Sequence, residues 1–368
     1  MEKLRLEDQG RVITALCDGL GSGVKAHILS TLTSTIATHF AASESNLRRY
    51  IEIISQILPE CSERNLGYST FTISDIDSSG RNKLIEFDNP SAILIRNGKT
   101  ERIQRRKVSV KYGKLGSREV YQSIIEMQKG DRLAICSDGV TESGRGEKGM
   151  QWGWEEENLA KFCERICREN KELSARQMAK GIVEAAIKNE GGQCRDDATA
   201  LVINIRRPKK TLLVTGPPSH KKFDAYITDR VKNFIGAKII CGGTTAKIIA
   251  DMLGRALHTN PAALGRGLPP ASEIEGVDLV TEGILTLSKL EEMLDAGSSG
   301  KTENTPAEAL MELLLESDII TLIVGTKINQ THHNPDFPID VEIRRNLARR
   351  LKRVLENKYL KKVEIELV

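Results

Sequence analysis

Aspartates stand where three apolar runs end or begin. Asp18 follows "RVITALC", and Asp138 follows "RLAICS". Asp196 and Asp197 directly precede the run "ATALVI". Glycine follows each of the first two aspartates, which allows a sharp turn and leaves the glycine carbonyl accessible. Carboxylate and carbonyl oxygens are the ligands that Mg²⁺ and Mn²⁺ prefer, so convergence of these positions at one edge of a sheet sandwich would make a metal site.

The first stretch, "DGLGSG", also has the context of a phosphate loop, because an apolar run precedes it and a helical pattern follows. Its glycines are Gly19, Gly21 and Gly23, and position 24 is valine. This spacing departs from the G-x-G-x-x-G pattern of dinucleotide loops. Together with the two other aspartate motifs, it favours a metal-binding turn.

A second candidate site is the stretch "ICGGTTAKIIAD" at 240–251. A strand pattern runs into Gly242, Gly243, Thr244 and Thr245, and a helical pattern follows. Backbone N–H groups and two hydroxyls at a helix N-terminus suit a phosphate or a carboxylate. A tight turn with a threonine N-cap explains the same residues, so both interpretations stay open.

The elements that must position the aspartates change character along the chain. In the first part, apolar spacing predicts helices over 24–41, 45–57, 155–169 and 173–189. Short strand patterns lie between them, separated by turn signals such as Asn97-Gly98, which favour antiparallel hairpins. Hairpins with helices before and after predict an α+β fold, in which helices cover antiparallel sheets.

A break at "IRRPKK" (205–210) separates this part from a second one. Beyond it, strand patterns alternate with helices, which predicts a smaller, doubly wound α/β domain. The predicted domains are residues 1–207 and 211–368. The helices of the second are predicted over 222–235, 244–254, 286–296, 306–316 and 340–357.

The last of these helices carries a basic cluster. Ile343, Leu347 and Leu351 recur at helical spacing and predict its buried side. The basic cluster is predicted to lie on the solvated side of this helix. It comprises Arg344, Arg345, Arg349, Arg350, Lys352 and Arg353.

Composition excludes several classes of protein. Hydrophobic residues make up 39% and charged residues 28% of the 368 residues, as in ordinary globular proteins. A net charge of +4 and an aromatic content of 4% argue against a nucleic-acid binder. No apolar run is long enough to cross a membrane. Seven cysteines without framework spacing, and no export signal at the N-terminus, predict a cytoplasmic protein.

The three aspartate motifs, taken in order, resemble those of a known superfamily. "CDGLGSGVKA", "SDGVTE" and "RDDATAL" resemble the metal-binding motifs of the protein phosphatase 2C-type superfamily. They are most similar to its bacterial branch, which contains the stage II sporulation protein E phosphatase domain. That branch favours a bulky residue and glycine-small-glycine after the first Asp-Gly, and Asp-Asp in the third motif. The resemblance covers residues 1–207 and implies an α-β-β-α sandwich.

The resemblance implies a role for each motif residue. Asp18 would bridge two Mn²⁺ or Mg²⁺ ions beside the carbonyl of Gly19, and Asp138 and Asp196 would complete the first metal site. Asp197 stands where relatives carry asparagine and would support the ligands. A hydroxide between the ions would attack phosphorus in line. The resemblance further implies a cytoplasmic bacterial serine/threonine phosphatase, a phosphorylated regulatory protein as substrate, and dimerisation, which is common in the branch.

One departure keeps alternatives open. Relatives usually carry a further acid in a Gly-Asp pair upstream of the first motif, whereas the acids nearest to Asp18 on that side are Glu7 and Asp8. Either the native start lies further upstream, or the second metal site lacks this ligand. The main alternative is a catalytically weak sensor that binds an anion through its C-terminal domain and acts on a partner. A third hypothesis is an enzyme in the C-terminal domain, acting on a small phosphorylated or carboxylated substrate.

Overall fold

The computed structural model describes residues 2–6, 10–19, 21, 23–43, 53, 69–111, 116–147, 149–192, 195–259, 272–297, 305–327 and 339–368. The chain divides into two compact units, Met1–Arg207 and Pro208–Val368. The helix predicted over 45–57 lies outside the described residues, apart from position 53. No helix in the described ranges has the length and apolar character needed to cross a membrane.

Two antiparallel sheets form the centre of the first unit. Six strands build the first sheet: β1 (Glu2–Leu6), β2 (Arg11–Gly19), β3 (Ser69–Ile76), β4 (Arg81–Phe87), β7 (Arg106–Lys111) and β8 (Ser117–Glu126). Four strands build the second: β5 (Ile93–Arg96), β6 (Lys99–Glu101), β9 (Arg132–Cys136) and β10 (Ala200–Asn204). The orders are β1-β2-β3-β4-β8-β7 and β10-β9-β5-β6.

Helices cover both outer faces of these sheets. The helices are α1 (Gly23–Ala42), the single turn α2 (Asp138–Thr141), α3 (Glu155–Glu169) and α4 (Ala175–Asn189). Helix α1 packs on the first sheet, with Leu29 against Phe71 in one cluster. Helices α3 and α4 pack on the second, and a third cluster that includes Leu16 and Leu133 joins the sheets face to face. The unit is therefore the predicted α-β-β-α sandwich.

The second unit is a seven-stranded sheet with helices on both faces. Its strands are β11 (Lys210–Thr215), β12 (Ala237–Cys241), β13 (Leu257–Thr259), β14 (Ser272–Ile274), β15 (Leu279–Thr281), β16 (Ile319–Val324) and β17 (Lys362–Leu367). Its helices are α5 (Lys222–Asn233), α6 (Gly243–Leu253), α7 (Ile284–Ala296), α8 (Pro306–Glu316) and α9 (Ile339–Tyr359).

The strand order of this sheet is that of a doubly wound fold, as predicted. The order is β13-β14-β15-β12-β11-β16-β17, in which β15, β12, β11, β16 and β17 run parallel. Along the chain these five are third, second, first, fourth and fifth. Helices α5 and α6 pack on one face, and α7, α8 and α9 pack on the other. Such sheets bind ligands at the carboxyl ends of their strands.

Several strands were not predicted from the sequence. The structure adds strands β1, β7 and β8 to the sandwich. It also adds the short antiparallel edge strands β13 and β14 to the second unit. In β7 most side chains are exposed, and several are charged. A strand with one solvated face carries little apolar signal, and its pairing with the neighbouring strand β8 determines its structure.

The prediction that Arg344 lies on the solvated side of α9 is wrong. Arg344 is 9% exposed, whereas Ile343 is 39% exposed. The buried side of the helix runs through Arg344, Leu347, Leu351 and Leu355, at helical spacing. Ile343 is also at helical spacing from Leu347, but repeated steps of four residues drift around a helix of about 3.6 residues per turn, which places Ile343 at the margin of the buried side and Arg344 within it.

We expect the core between the two sheets to dominate the stability of the first unit. Leu133 is fully buried in that core, so Leu133→Ala should lower the free energy of unfolding by about 2–5 kcal/mol. Both tryptophans, Trp152 and Trp154, belong to the first unit, so urea unfolding followed by tryptophan fluorescence reports on it.

The matched control is Ile124→Ala. Ile124 is 55% exposed, and its truncation should cost less than about 1 kcal/mol. Equal losses for the two variants would contradict the assignment of Leu133 to the core.

Candidate metal centre

Strand pairing brings the second and third aspartate motifs together. Strands β9 and β10 pair antiparallel, with Cys136 opposite Ala200. The end of β9 therefore lies beside the start of β10, which places Asp138 next to the segment that contains Asp196 and Asp197. The pairing continues one step beyond the strands, because the Ser137 N–H donates to the Thr199 carbonyl at 3.0 Å.

The buried hydroxyl of Ser137 joins the two motifs. It donates to the Asp197 carbonyl at 3.0 Å and accepts from the Thr199 N–H at 3.0 Å. Gly139 allows the same close approach, since a Cβ at this position would lie 2.6 Å from the Asp197 carbonyl oxygen. These contacts determine where the Asp196-Asp197 backbone runs.

The first motif comes from the other sheet. Asp18 is the penultimate residue of β2, where the Ser69 hydroxyl donates to its carbonyl at 2.6 Å. A Cβ on Gly19 would lie 2.2 Å from the Ala26 carbonyl oxygen, so only glycine lets the first turns of α1 pack against the end of this strand. The core between the sheets, which contains Leu16 two residues earlier, holds this strand end over the second sheet.

The carboxylates repel one another at this edge. Burial, followed by the charges of Asp138, Asp196 and Asp197, raises the pKa of Asp18 to about 6, against a hydrogen bond from the Gly19 N–H. Burial, followed by the charge of Asp196, also raises the pKa of Asp138. Four acidic side chains from three motifs thus share one region, which is costly without a positive charge.

These residues fit a hard divalent cation. Asp18 and Asp138 are half-buried, whereas Asp196 and Asp197 are exposed. In the part of the chain that the structure describes, no three acidic, thiol or imidazole side chains converge tightly enough to form a complete metal site. The carboxylates therefore face one region without meeting at a point, and a cation would offset their repulsion.

The neighbouring thiols pack in apolar clusters, Cys17 in the cluster beneath α1 and Cys136 in the cluster beneath α3 and α4. Cys17 and Cys136 each precede a motif aspartate by one or two residues, and both are buried. Burial raises the pKa of both thiols to about 12, so they stay protonated at neutral pH. An oxygen-only donor set is typical of sites for Mg²⁺ or Mn²⁺.

The structure thus brings Asp18, Gly19, Asp138, Asp196 and Asp197 to one edge of the sandwich. The other predicted site, the segment 242–245, belongs to the second unit and begins α6. Glu7 and Asp8 lie outside the described residues.

Sequence reasoning missed two residues that support the site, Ser69 and Ser137. The only feature of the sequence that marks these two serines is their position next to a motif or at the start of a strand. Ser137 directly precedes a motif aspartate, and Ser69 begins the strand that pairs with the end of β2.

Ser137→Ala tests the link between the second and third motifs. It removes one hydroxyl that serves as both donor and acceptor, so we expect a loss of about 1–3 kcal/mol in the free energy of unfolding, read by tryptophan fluorescence in urea. Ser109→Ala is the control, because Ser109 is exposed and bonds only another exposed serine in the described contacts. A loss no greater than that of the control would show that the hydroxyl does not hold the motifs together.

Comparison with known proteins relates the first unit to one family. The model of the family "Stage II sporulation protein E (SpoIIE)" matches residues 8–206, more than half of the chain. Stage II sporulation protein E of Bacillus subtilis (strain 168) is 25% identical over 192 residues, which are 52% of this chain and 22% of that protein. The chain therefore spans about a fifth of the length of this relative.

Two solved structures are similar to the chain. One contains the PP2C phosphatase domain and a fragment of the regulatory domain of SpoIIE from Bacillus subtilis, with 22% identity, 56% coverage of each chain and a TM-score of 0.45. The other contains the RsbU and RsbW domains of Rv1364c from Mycobacterium tuberculosis, with 14% identity, 68% and 66% coverage and a TM-score of 0.45. On the family match, the chain belongs to the SpoIIE family.

Proposed function

We propose that residues 1–207 are a metal-dependent protein phosphatase that hydrolyses phosphoserine or phosphothreonine. The observation that carries this proposal is the convergence of acidic side chains from both sheets on one edge of the sandwich. Asp18, Asp138 and Asp196 are the catalytic metal ligands in this proposal. The Gly19 carbonyl assists Asp18, and Asp197 lies beside the ligands.

Two Mn²⁺ or Mg²⁺ ions are the cofactors we propose. When bound, they would neutralise phosphoryl oxygens and activate water as the nucleophile. The chain supplies the carboxylate and carbonyl oxygens that would hold the ions, and its fold sets the distances between them. Asp18 comes from the sheet opposite to that of Asp138, so the cleft between the strand ends sets the width of the site. Ser137 and Gly139 keep the backbone of the third motif against the second.

The proposed substrate is a phosphorylated regulatory protein, and a homodimer is the proposed assembly. The proposed location is the cytoplasm, supported by the cysteine pattern: those that the structure describes, Cys17, Cys136, Cys163, Cys167 and Cys241, are free thiols. Family membership supports the phosphatase over the catalytically weak sensor. Residues 211–368 are proposed to be a separate α/β domain.

Hydrolysis of para-nitrophenyl phosphate and of a phosphoserine peptide tests the proposal. We expect turnover with Mn²⁺ or Mg²⁺ and none with chelator. Asp18→Asn and Asp196→Asn should each lower kcat/KM by about a hundredfold or more, because each removes a charged ligand worth several kcal/mol in the transition state. Mn²⁺ affinity, measured by calorimetry, should fall in the same variants.

Asp229→Asn is the matched control, because Asp229 is an exposed acid of the second unit. It should leave both Mn²⁺ affinity and turnover unchanged. Turnover that persists in chelator, or Mn²⁺ affinity that is the same in Asp18→Asn as in the parent chain, would refute the proposed metal centre.

A further inference from the structure

Three glycine turns meet at the carboxyl edge of the sheet in the second unit. Gly216 follows β11, Gly242 follows β12, and Gly283 lies two residues after β15. A Cβ on Gly242 would lie 3.9 Å from the Gly216 nitrogen, and a Cβ on Gly283 would lie 3.6 Å from the Gly242 Cα. Gly242 has φ of 126°, a conformation that essentially requires glycine. The turns are therefore packed backbone against backbone.

Two helices begin at these turns without a side-chain cap. The N-cap residues of α6 and α7 are Gly242 and Gly283, and neither helix has a capping hydrogen bond from its N-cap side chain. Helix α8 differs, because Thr305 and Glu308 close it with a capping box. The first N–H groups of a helix lack intrahelical partners and carry partial positive charge. The edge thus presents two sets of N–H donors side by side.

Buried hydroxyls at the same edge lack acceptors. The Thr245 hydroxyl, in the first turn of α6, is fully buried and has no hydrogen-bond partner among the described residues. It faces the turn, since it lies 3.5 Å from where a Cβ of Gly242 would be. Thr215 at the end of β11 and Thr286 in the first turn of α7 are also buried and share this lack. A buried hydroxyl without a hydrogen-bond partner is unfavourable, so three at one edge point to a missing acceptor.

The edge has room for such a group, and a buried arginine lies at the neighbouring turns, where it donates to the Gly325 carbonyl. A Cβ on Gly243 would meet no atom of the described residues within 4 Å, so the start of α6 faces open space among them. The Arg344 guanidinium is nine-tenths buried beside this edge, with Nη1 2.8 Å from the Cβ position of Gly216. Glu282, the acid in the turn before α7, is exposed.

The neighbouring crevice is closed. In a sheet of this order, ligands commonly bind between the first and fourth strands, here β11 and β16. The Gly325 N–H donates to the Thr215 carbonyl at 2.8 Å, and the Lys327 N–H donates to the Pro217 carbonyl at 3.1 Å. These bonds join the two loops, so the available donors are those above β12 and β15.

We propose that residues 242–245 and 283–286 bind the phosphoryl group of a small phosphorylated ligand. The donors are the N–H groups that begin α6 and α7 and the hydroxyls of Thr245 and Thr286. A carboxylate has two acceptor oxygens, whereas a terminal phosphoryl group has three and carries more charge, which suits so many donors. This site is independent of the proposed phosphatase centre.

Calorimetric titration of the full chain tests the proposal, with chelator present so that no metal-dependent binding contributes. The probes are inorganic phosphate, adenosine monophosphate and acetate. We expect both phosphate probes to bind more tightly than acetate. Hydrogen exchange should slow at the starts of α6 and α7 when phosphate is added. Tighter binding of adenosine monophosphate than of phosphate identifies a phosphate ester, and equal binding identifies free phosphate.

Two variants make the assignment specific. Thr245→Val should raise the Kd for phosphate about tenfold and raise the Tm of the unliganded chain, because it removes both a donor to the ligand and an unsatisfied hydroxyl. Gly243→Ala should also raise the Kd without lowering the Tm, because its methyl group enters the space meant for the ligand. Thr211→Val is the control: the Thr211 hydroxyl is paired with Ser317, so the Tm should fall and the Kd should not change.

Several outcomes would overturn the proposal. They are the absence of phosphate binding to the full chain, acetate binding as tight as that of phosphate, and an unchanged Kd in Thr245→Val. Protection from exchange only in the first unit would equally assign the anion to another site.

Discussion

The antiparallel pairing of β9 with β10 is the constraint on which the first unit depends. It aligns Cys136 with Ala200, and as a consequence acidic residues that are nearly sixty positions apart become neighbours. The cluster that joins the two sheets then holds Asp18 near them. Like charges gathered at one edge oppose folding, so the apolar core and the backbone ladders must offset their repulsion. A cation bound between these carboxylates would remove this repulsion and so lower the free energy of the folded unit.

Both units contain a strand, a glycine turn and a helix, yet the two turns have opposite chemistry. At Gly19 the helix packs so closely that its Ala26 carbonyl fills the space a side chain would need. This turn presents the Asp18 carboxylate and the Gly19 carbonyl, and the oxygens of both groups suit a cation. At Gly243 the corresponding space is open, and the turn offers N–H groups and a buried hydroxyl, which suit an anion. Glycine content alone does not distinguish these cases.

The family relationship applies to one unit only. The SpoIIE match ends at residue 206, one residue before the boundary between the compact units. The sandwich is therefore understood through its relatives and its own geometry together. In the parallel sheet, the strand order and the hydroxyls without partners among the described residues point to a ligand site at the carboxyl edge.

Local patterns in the sequence determined most helices, the strands that lead to the motif aspartates, and the order of the motifs, because apolar spacing and turn residues act over a few positions. The resemblance of those motifs to a family predicted the sandwich. Only the tertiary structure decided that Arg344 is buried, that Ser137 joins two motifs, and that Thr245 finds no acceptor among the described residues. Each of these depends on residues far away in the chain, such as Gly325 for Arg344. Burial and hydrogen bonding are properties of the neighbours that folding supplies, and no local pattern records them.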